Sequence, residues 1–196
     1  MEISFPQQKK KRMLVLYVIA FICSLSFNYY ITTYTGPRSL VKDRVPDLVH
    51  DVVPYHGDEY LVDILLALLT CCEIALSMYL KHTREANRVL WVYTCLYLQR
   101  ASLMWLTTFQ DPSPHCRVDD YTLSTCGDQI FSGHAFCVMI CSFYFNAYCK
   151  NRTINAIIHT LVALCCILII TTRLHYTVDV VLSLYFSYYT WSSIPL

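Results

Sequence analysis

At 196 residues, with 56% hydrophobic and only 15% charged side chains, the chain falls well short of the roughly one-quarter charged content of a soluble domain. A formal net charge of +1 gives no basis for a nucleic-acid partner. The charges are clustered, and the apolar stretches between them approach the ~20 residues that a bilayer core demands of a helix.

Residues 1–12 read as a short cytosolic segment ending in Lys9-Lys10-Lys11-Arg12, a basic run that anchors topology beside an apolar stretch. That stretch, Met13–Tyr34, is longer than a signal-peptide core and lacks a small-residue cleavage site, so it is expected to stay as a span. Five more follow at about Tyr60–Leu80, Val89–Thr108, Gln129–Tyr148, Ile154–Thr172 and Leu174–Ile194. All seven prolines fall outside these stretches. Strands of a barrel would alternate in polarity over about ten residues, whereas these segments are apolar on all sides. The expectation is an all-α, polytopic membrane protein: a six-helix bundle over residues 13–196, with no repeat and no second soluble domain.

With the N-terminus in the cytosol, that side collects nine basic residues (Lys9, Lys10, Lys11, Arg12, Lys81, Arg84, Arg88, Lys150 and Arg152) and the other side five. The bias places both termini in the cytosol. The loops holding all four glycines then lie on the luminal or extracellular face. The sequon Asn151-Arg152-Thr153 falls in a tight cytosolic turn under this topology, so a glycan there would overturn the orientation. Nine of the eleven cysteines sit in or at the ends of apolar segments, where free Cys acts as a small hydrophobe. Only Cys116 and Cys126 lie in a hydrophilic loop, and whether they are bridged is left open.

Two elements carry chemistry: Cys126-Gly127-Asp128-Gln129-Ile130-Phe131-Ser132-Gly133-His134, and His175-Tyr176-Thr177-Val178-Asp179-Val180. They open the fourth and sixth spans. Because the chain descends in one helix and returns in the next, both reach the same membrane face. His175 and Asp179, spaced i, i+4, share a helix face. A carboxylate there fixes the imidazole tautomer, and an imidazole so held can attack phosphorus. A second histidine must then protonate the departing oxygen and deprotonate the incoming one, and His134 fits that role. Gly133 permits close approach, Ser132 can cap a helix whose free N–H groups face a phosphate, and Arg173 is a candidate phosphate clamp. Neither element is specific alone: Ser-Gly before a helix is ordinary capping, and a His with an acid four residues on arises readily by chance. Their coincidence at one end of the bundle carries the catalytic reading.

The order Ser-Gly-His then His-x3-Asp resembles the phosphatidic acid phosphatase type 2 superfamily of lipid phosphatases. It is more closely similar to sphingomyelin synthases, six-span enzymes that exchange headgroups between phospholipid and ceramide. Cys126-Gly127-Asp128-x3-Ser132-Gly133-His134 and His175-Tyr176-Thr177-x-Asp179-Val180 match that family's signatures. So does the third-span spacing of Arg88, Tyr97, Arg100 and Thr107, with Cys72-Glu73-Ile74 and Pro46-Asp47 as looser echoes. Ala135 stands where the family usually has Thr, and Asn87 replaces the first of two arginines. The resemblance implies a transferase of sphingolipid metabolism in the Golgi, endoplasmic reticulum or plasma membrane. A phosphocholine group would move from a glycerophospholipid donor, through a phosphohistidine, to a ceramide acceptor. No metal or other cofactor is implied, and a homo-oligomer is among the partners it allows. The alternatives are a ceramide phosphoethanolamine or inositol phosphorylceramide synthase, a lipid phosphatase or phospholipase C using the same residues with water, and a non-enzymatic membrane scaffold. The Lys-x6-Arg-Pro run of the superfamily's phosphatases is missing.

Arg100 and Glu73 fall deep within predicted spans, at a cost of at least ~2.5 kcal/mol each on insertion scales, so each needs a partner or a wet cavity. Two arrangements fit: an ion pair between the second and third spans, or a polar floor to a headgroup cavity with Glu73 facing a cationic group. Asp128 orders its loop or a headgroup amine. Tyr176, Tyr185, Tyr188, Tyr189 and Trp191 form an aromatic stripe expected to face lipid, while an aromatic at the mouth, Tyr176, can hold a quaternary amine.

Overall fold

The computed structural model of the protein describes residues 7–39, 44–80, 83–113 and 129–194. These form seven helices: α1 (Gln7–Ser39), α2 (Leu48–Val52), α3 (Glu59–Leu80), α4 (Thr83–Leu106), α5 (Gly133–Tyr148), α6 (Arg152–Thr171) and α7 (Thr177–Ser193). Each predicted span is one of the six long helices. Several boundaries move: α5 begins at Gly133 rather than Gln129, and α7 at Thr177 rather than Leu174. α1 runs on through Gly36 and Pro37 to Ser39, and α4 begins at Thr83 rather than Val89. The short α2 has no counterpart among the expected elements, since five residues are too few for a hydrophobic period.

Three helices are long and apolar enough to cross a membrane: Arg12–Thr35, Glu59–Leu80 and Arg152–Thr171, with mean hydropathies of 1.9, 2.1 and 2.4. α5 and α7 have 16 and 17 residues, fewer than the ~20 of a usual span. α4 has 24 residues, but Arg84, Glu85, Arg88 and Arg100 lower its apolarity. The chain therefore carries apolar helices of a membrane protein within an all-helical fold, with no strand among the described residues.

α5 is the centre. It packs against α3, α4, α6 and α7, while α1 lies along α4 at the flank. Its buried side chains include Ala135, Val138 and Cys141, which join α3 and α6, and Phe136 and Ile140, which face α4 and α7. Phe136 meets Tyr97 edge-on at 5.0 Å and Phe131 at 5.6 Å. Where lipid tails are as apolar as the side chains, such close packing rather than burial from water supplies the cohesion. α7 shows the principle plainly. Asp179, Ser183, Ser187 and Thr190 are buried along one stripe, and Val178, Val181, Tyr185, Tyr188 and Tyr189 are exposed on the other. Small residues let the backbones approach; the apolar face is left to the surroundings. Tyr176 departs from the expected stripe and is buried, and Trp191 lies beneath the Arg88 guanidinium, 4.0 Å from the ring centre.

The turn between α5 and α6 is as tight as its sequence implies. Asn151 caps α6, its side-chain oxygen accepting from the N–H groups of Thr153 and Ile154 at 2.9 and 3.2 Å. The nine cysteines among the described residues are free thiols; the Cys116–Cys126 question lies outside them.

Candidate active site

The starts of α3, α5 and α7 and the ends of α4 and α6 meet at one end of the bundle. There α7 presents its first-turn carboxylate to its own entry segment. Asp179 Oδ2 accepts from the Tyr176 N–H at 3.0 Å and faces His175 Nδ1 at 3.4 Å, while Oδ1 accepts from the Ile130 N–H at 3.0 Å. His175 is 2% exposed and Asp179 0%. A buried carboxylate needs this set of donors, because water cannot reach it. With Nδ1 turned to Asp179, Nε2 is the free nitrogen of His175.

The loop entering α5 is fastened residue by residue. Gln129 Nε2 donates to Asp111 Oδ2 at 3.2 Å and to the Leu174 carbonyl at 3.4 Å. Ile130 sits at φ 103°, a conformation costly for a β-branched residue, and its N–H binds Asp179. The Phe131 carbonyl accepts from Arg100 Nε at 2.8 Å. Ser132 caps α5, its Oγ accepting from the Ala135 N–H at 3.2 Å, and its carbonyl accepts from Ser183 Oγ at 3.1 Å. These contacts aim His134 across the site. The His134 and His175 ring centres lie 6.3 Å apart, their planes 60° to one another.

Some expected residues play other parts. Arg100 reaches the loop from beneath, binding Phe131 and Asn28 Oδ1 (3.1 Å). Glu73 accepts from Tyr93 at 3.1 Å instead, so among the described residues no ion pair joins Arg100 to Glu73. Of the two arrangements weighed for them, the ion pair is corrected: Glu73 turns to Tyr93 of α4, and Arg100 to the Phe131 carbonyl in the loop before α5. A Cβ at Gly133 would meet Arg100 Nε at 3.6 Å, an ordinary contact, so packing within the chain makes no demand for glycine there. Tyr176 braces the mouth: its hydroxyl donates to the Gln110 carbonyl at 2.9 Å and accepts from the Val45 N–H at 3.1 Å. Arg173 Nη2 donates to the His50 carbonyl at 2.8 Å. Asp128 lies outside the described residues.

Arg173 and Tyr176 also line a cleft of about 390 Å³ with Arg44, Pro46, Asp47 and His50. Its floor is α2, held by a residue the sequence marked only as an echo. Asp47 caps α2 through the Val49 N–H (3.0 Å) and simultaneously takes the N–H and hydroxyl of Thr177 at 2.6 and 2.9 Å. Burial alone would raise the Asp47 pKa, but the Thr177 donors and the nearby His50 outweigh it and hold the carboxyl below its usual range.

Sequence reading also passed over Asp63. This α3 residue places Oδ1 3.2 Å from His134 Nε2. No spacing rule links two residues on helices so far apart in the chain; an aspartate inside an apolar helix was the available signal.

His50 yields a pH prediction. Burial depresses its pKa, Asp47 opposes this, and the Arg173 cation adds to the depression, leaving it below the usual value. Below about pH 6.5 the undocked segment binds a proton that docked His50 resists, so docking weakens as pH falls and is unaffected above that value. Amide exchange over residues 48–52, corrected for intrinsic rates, should accelerate from pH 7.5 to 5.5, and His50→Gln should flatten the response.

Two histidines and a buried aspartate meet at one end of the helical bundle, and the same stretch carries a family signal. Residues 125–195 match the family model for the PAP2 superfamily C-terminal. The match spans α5, α6 and α7 and contains His134, His175 and Asp179. It supports a PAP2-like lipid phosphatase or phosphotransferase, acting on membrane lipids. Comparison with curated proteins gives no match.

Proposed function

We propose that this PAP2-like protein is a ceramide phosphotransferase of the sphingomyelin synthase type. It moves phosphocholine from a glycerophospholipid to the primary hydroxyl of ceramide. The observation that carries the reading is the pairing of His134 and His175, delivered by separate helices to within 6.3 Å. A phosphorus about 3–3.5 Å from a nucleophile, with an oxygen about 3 Å from an acid, fits between two such rings.

In the first half-reaction the His175 Nε2 lone pair forms the N–P bond. The bond from phosphorus to the glyceride oxygen breaks, and that oxygen takes a proton from His134 to leave as diacylglycerol. In the second, the ceramide hydroxyl attacks phosphorus, its proton passes to His134, and the N–P electron pair returns to His175. Asp179 holds His175 in the tautomer with Nε2 free and stabilises the charged ring. The ceramide acceptor is supported by the third-span spacing of Arg88, Tyr97, Arg100 and Thr107.

In this proposal all six long helices span the bilayer, residues 13–196 form one catalytic membrane domain, and both termini are cytosolic. The histidines then face the lumen or exterior, in Golgi, endoplasmic reticulum or plasma membrane. The test uses the purified full chain in phosphatidylcholine liposomes with fluorescent ceramide. Labelled sphingomyelin should form in equal amount to diacylglycerol. Free phosphocholine with ceramide unchanged would replace the transferase by a hydrolase, and inertness across choline, ethanolamine and inositol donors would overturn the enzyme.

A further inference from the structure

We propose that Asp63 is the positioning residue of His134, and that it makes Nδ1 the proton-carrying atom of that ring. The inference rests on the two-histidine reading above and names a part of it that the histidines alone leave undefined.

Each imidazole has one nitrogen turned to a carboxylate. For His175 it is Nδ1, facing Asp179; for His134 it is Nε2, facing Asp63 Oδ1 at 3.2 Å. A ring nitrogen held by a carboxylate carries a hydrogen, so the lone pair of neutral His134 lies at Nδ1. The two rings therefore work through opposite atoms: Nε2 of His175 bonds phosphorus, and Nδ1 of His134 gives a proton to the glyceride oxygen and takes one from the acceptor hydroxyl. The two carboxylates also differ in setting. Asp179 is sealed in and shared with two backbone N–H groups, whereas the Asp63 side chain is 72% exposed and that of His134 30%. Among the described residues, His134 is the hydrogen-bond partner of Asp63. An aspartate within an apolar helix such as α3 is expensive unless it serves a partner. The open side of the site is thus the acid–base side, where leaving and entering lipid oxygens must pass, and the nucleophile stays behind it.

The test compares Asp63→Asn and Asp63→Glu with the unaltered chain on two donors in liposomes. From phosphatidylcholine the diacylglycerol oxygen leaves as an alkoxide and needs a proton; from p-nitrophenylphosphocholine the p-nitrophenolate leaves without one. Asp63→Asn should lower kcat for phosphatidylcholine about 10–100-fold while KM holds. The p-nitrophenolate burst should persist, which also reports an intact fold, and Asp63→Glu should restore most of the rate. A histidine methylated at Nδ1 in place of His134 should be as inactive towards phosphatidylcholine as His134→Ala; one methylated at Nε2 should match Asp63→Asn. Equal losses on both donors, or no loss on either, would overturn the role of Asp63 and leave the two-histidine reading standing. So would activity that survives Nδ1 methylation. An unaltered chain that forms no phosphohistidine from either donor removes both.

Discussion

Replacing His175 by alanine is expected to lower headgroup transfer by about 10⁴-fold or more, with no phosphorus label retained on the protein. The reason is the singularity of its free nitrogen. Nδ1 is engaged by Asp179, the ring is 2% exposed, and the other imidazole at the site is held through Nε2 by Asp63. Among the described residues the other imidazole at the site is His134, whose Nδ1 is committed to moving the proton. The fold should survive, because Asp179 keeps its two backbone donors, Tyr176 and Ile130. Labelled donor lipid, acid-labile and alkali-stable phosphoprotein, and thermal unfolding in detergent check the three parts. His134→Ala gives the contrast: it should still acquire label from p-nitrophenylphosphocholine, since that leaving group needs no acid. Transfer within tenfold of the unaltered chain by His175→Ala would remove the covalent mechanism.

The features legible before any coordinates were those written in short spacings. Apolar runs mark the six long helices and Ser132 marks the cap of α5; His175 and Asp179 do meet, though not on one helix face as their spacing suggests, because α7 begins only at Thr177 and His175 precedes it. The alternation of helix directions brought His134 to the same end. Partners joined across long stretches of chain were not legible. Asp63, Asp47 and Asp111 are three aspartates among many, and nothing local distinguishes the one that meets His134 from the one that caps two helices or the one that fastens Gln129. Glu73 and Arg100 illustrate the limit from the other side. Their depth could be counted along each helix, but the rotation of α3 and α4 against their neighbours decides that one meets Tyr93 and the other the Phe131 carbonyl. Ile130 is a further case, since an isoleucine advertises no left-handed backbone. Its φ of 103° arises because its N–H is needed at a carboxylate forty-nine positions away.

That shared carboxylate sets the second large effect. Asp179→Asn should cost about 10²–10⁴-fold in transfer rate and about 1–3 kcal/mol in stability, two losses with separate origins. An asparagine side chain offers one acceptor oxygen where the carboxylate offers two. Turned so that its oxygen serves Tyr176 and His175, it keeps the reactive tautomer but opposes its amide to the Ile130 N–H, releasing the loop that aims His134. Turned the other way, it serves Ile130 but opposes its amide to the Tyr176 N–H and leaves His175 with its proton on Nε2, which is then no nucleophile. Each arrangement leaves one backbone N–H unpaired, because in the second the amide donates to His175 Nδ1, and the activity that remains comes from the first. Its signature is a chain that still forms phosphohistidine slowly but whose residues 129–134 exchange amide hydrogens faster. Asp179→Ala, which leaves all three donors unpaired, should unfold at a lower temperature than Asp179→Asn and transfer no faster. Full activity in Asp179→Asn with an unchanged melting temperature would mean that neither the imidazole nor the loop depends on the buried charge. The site would then have to be sought away from the start of α7.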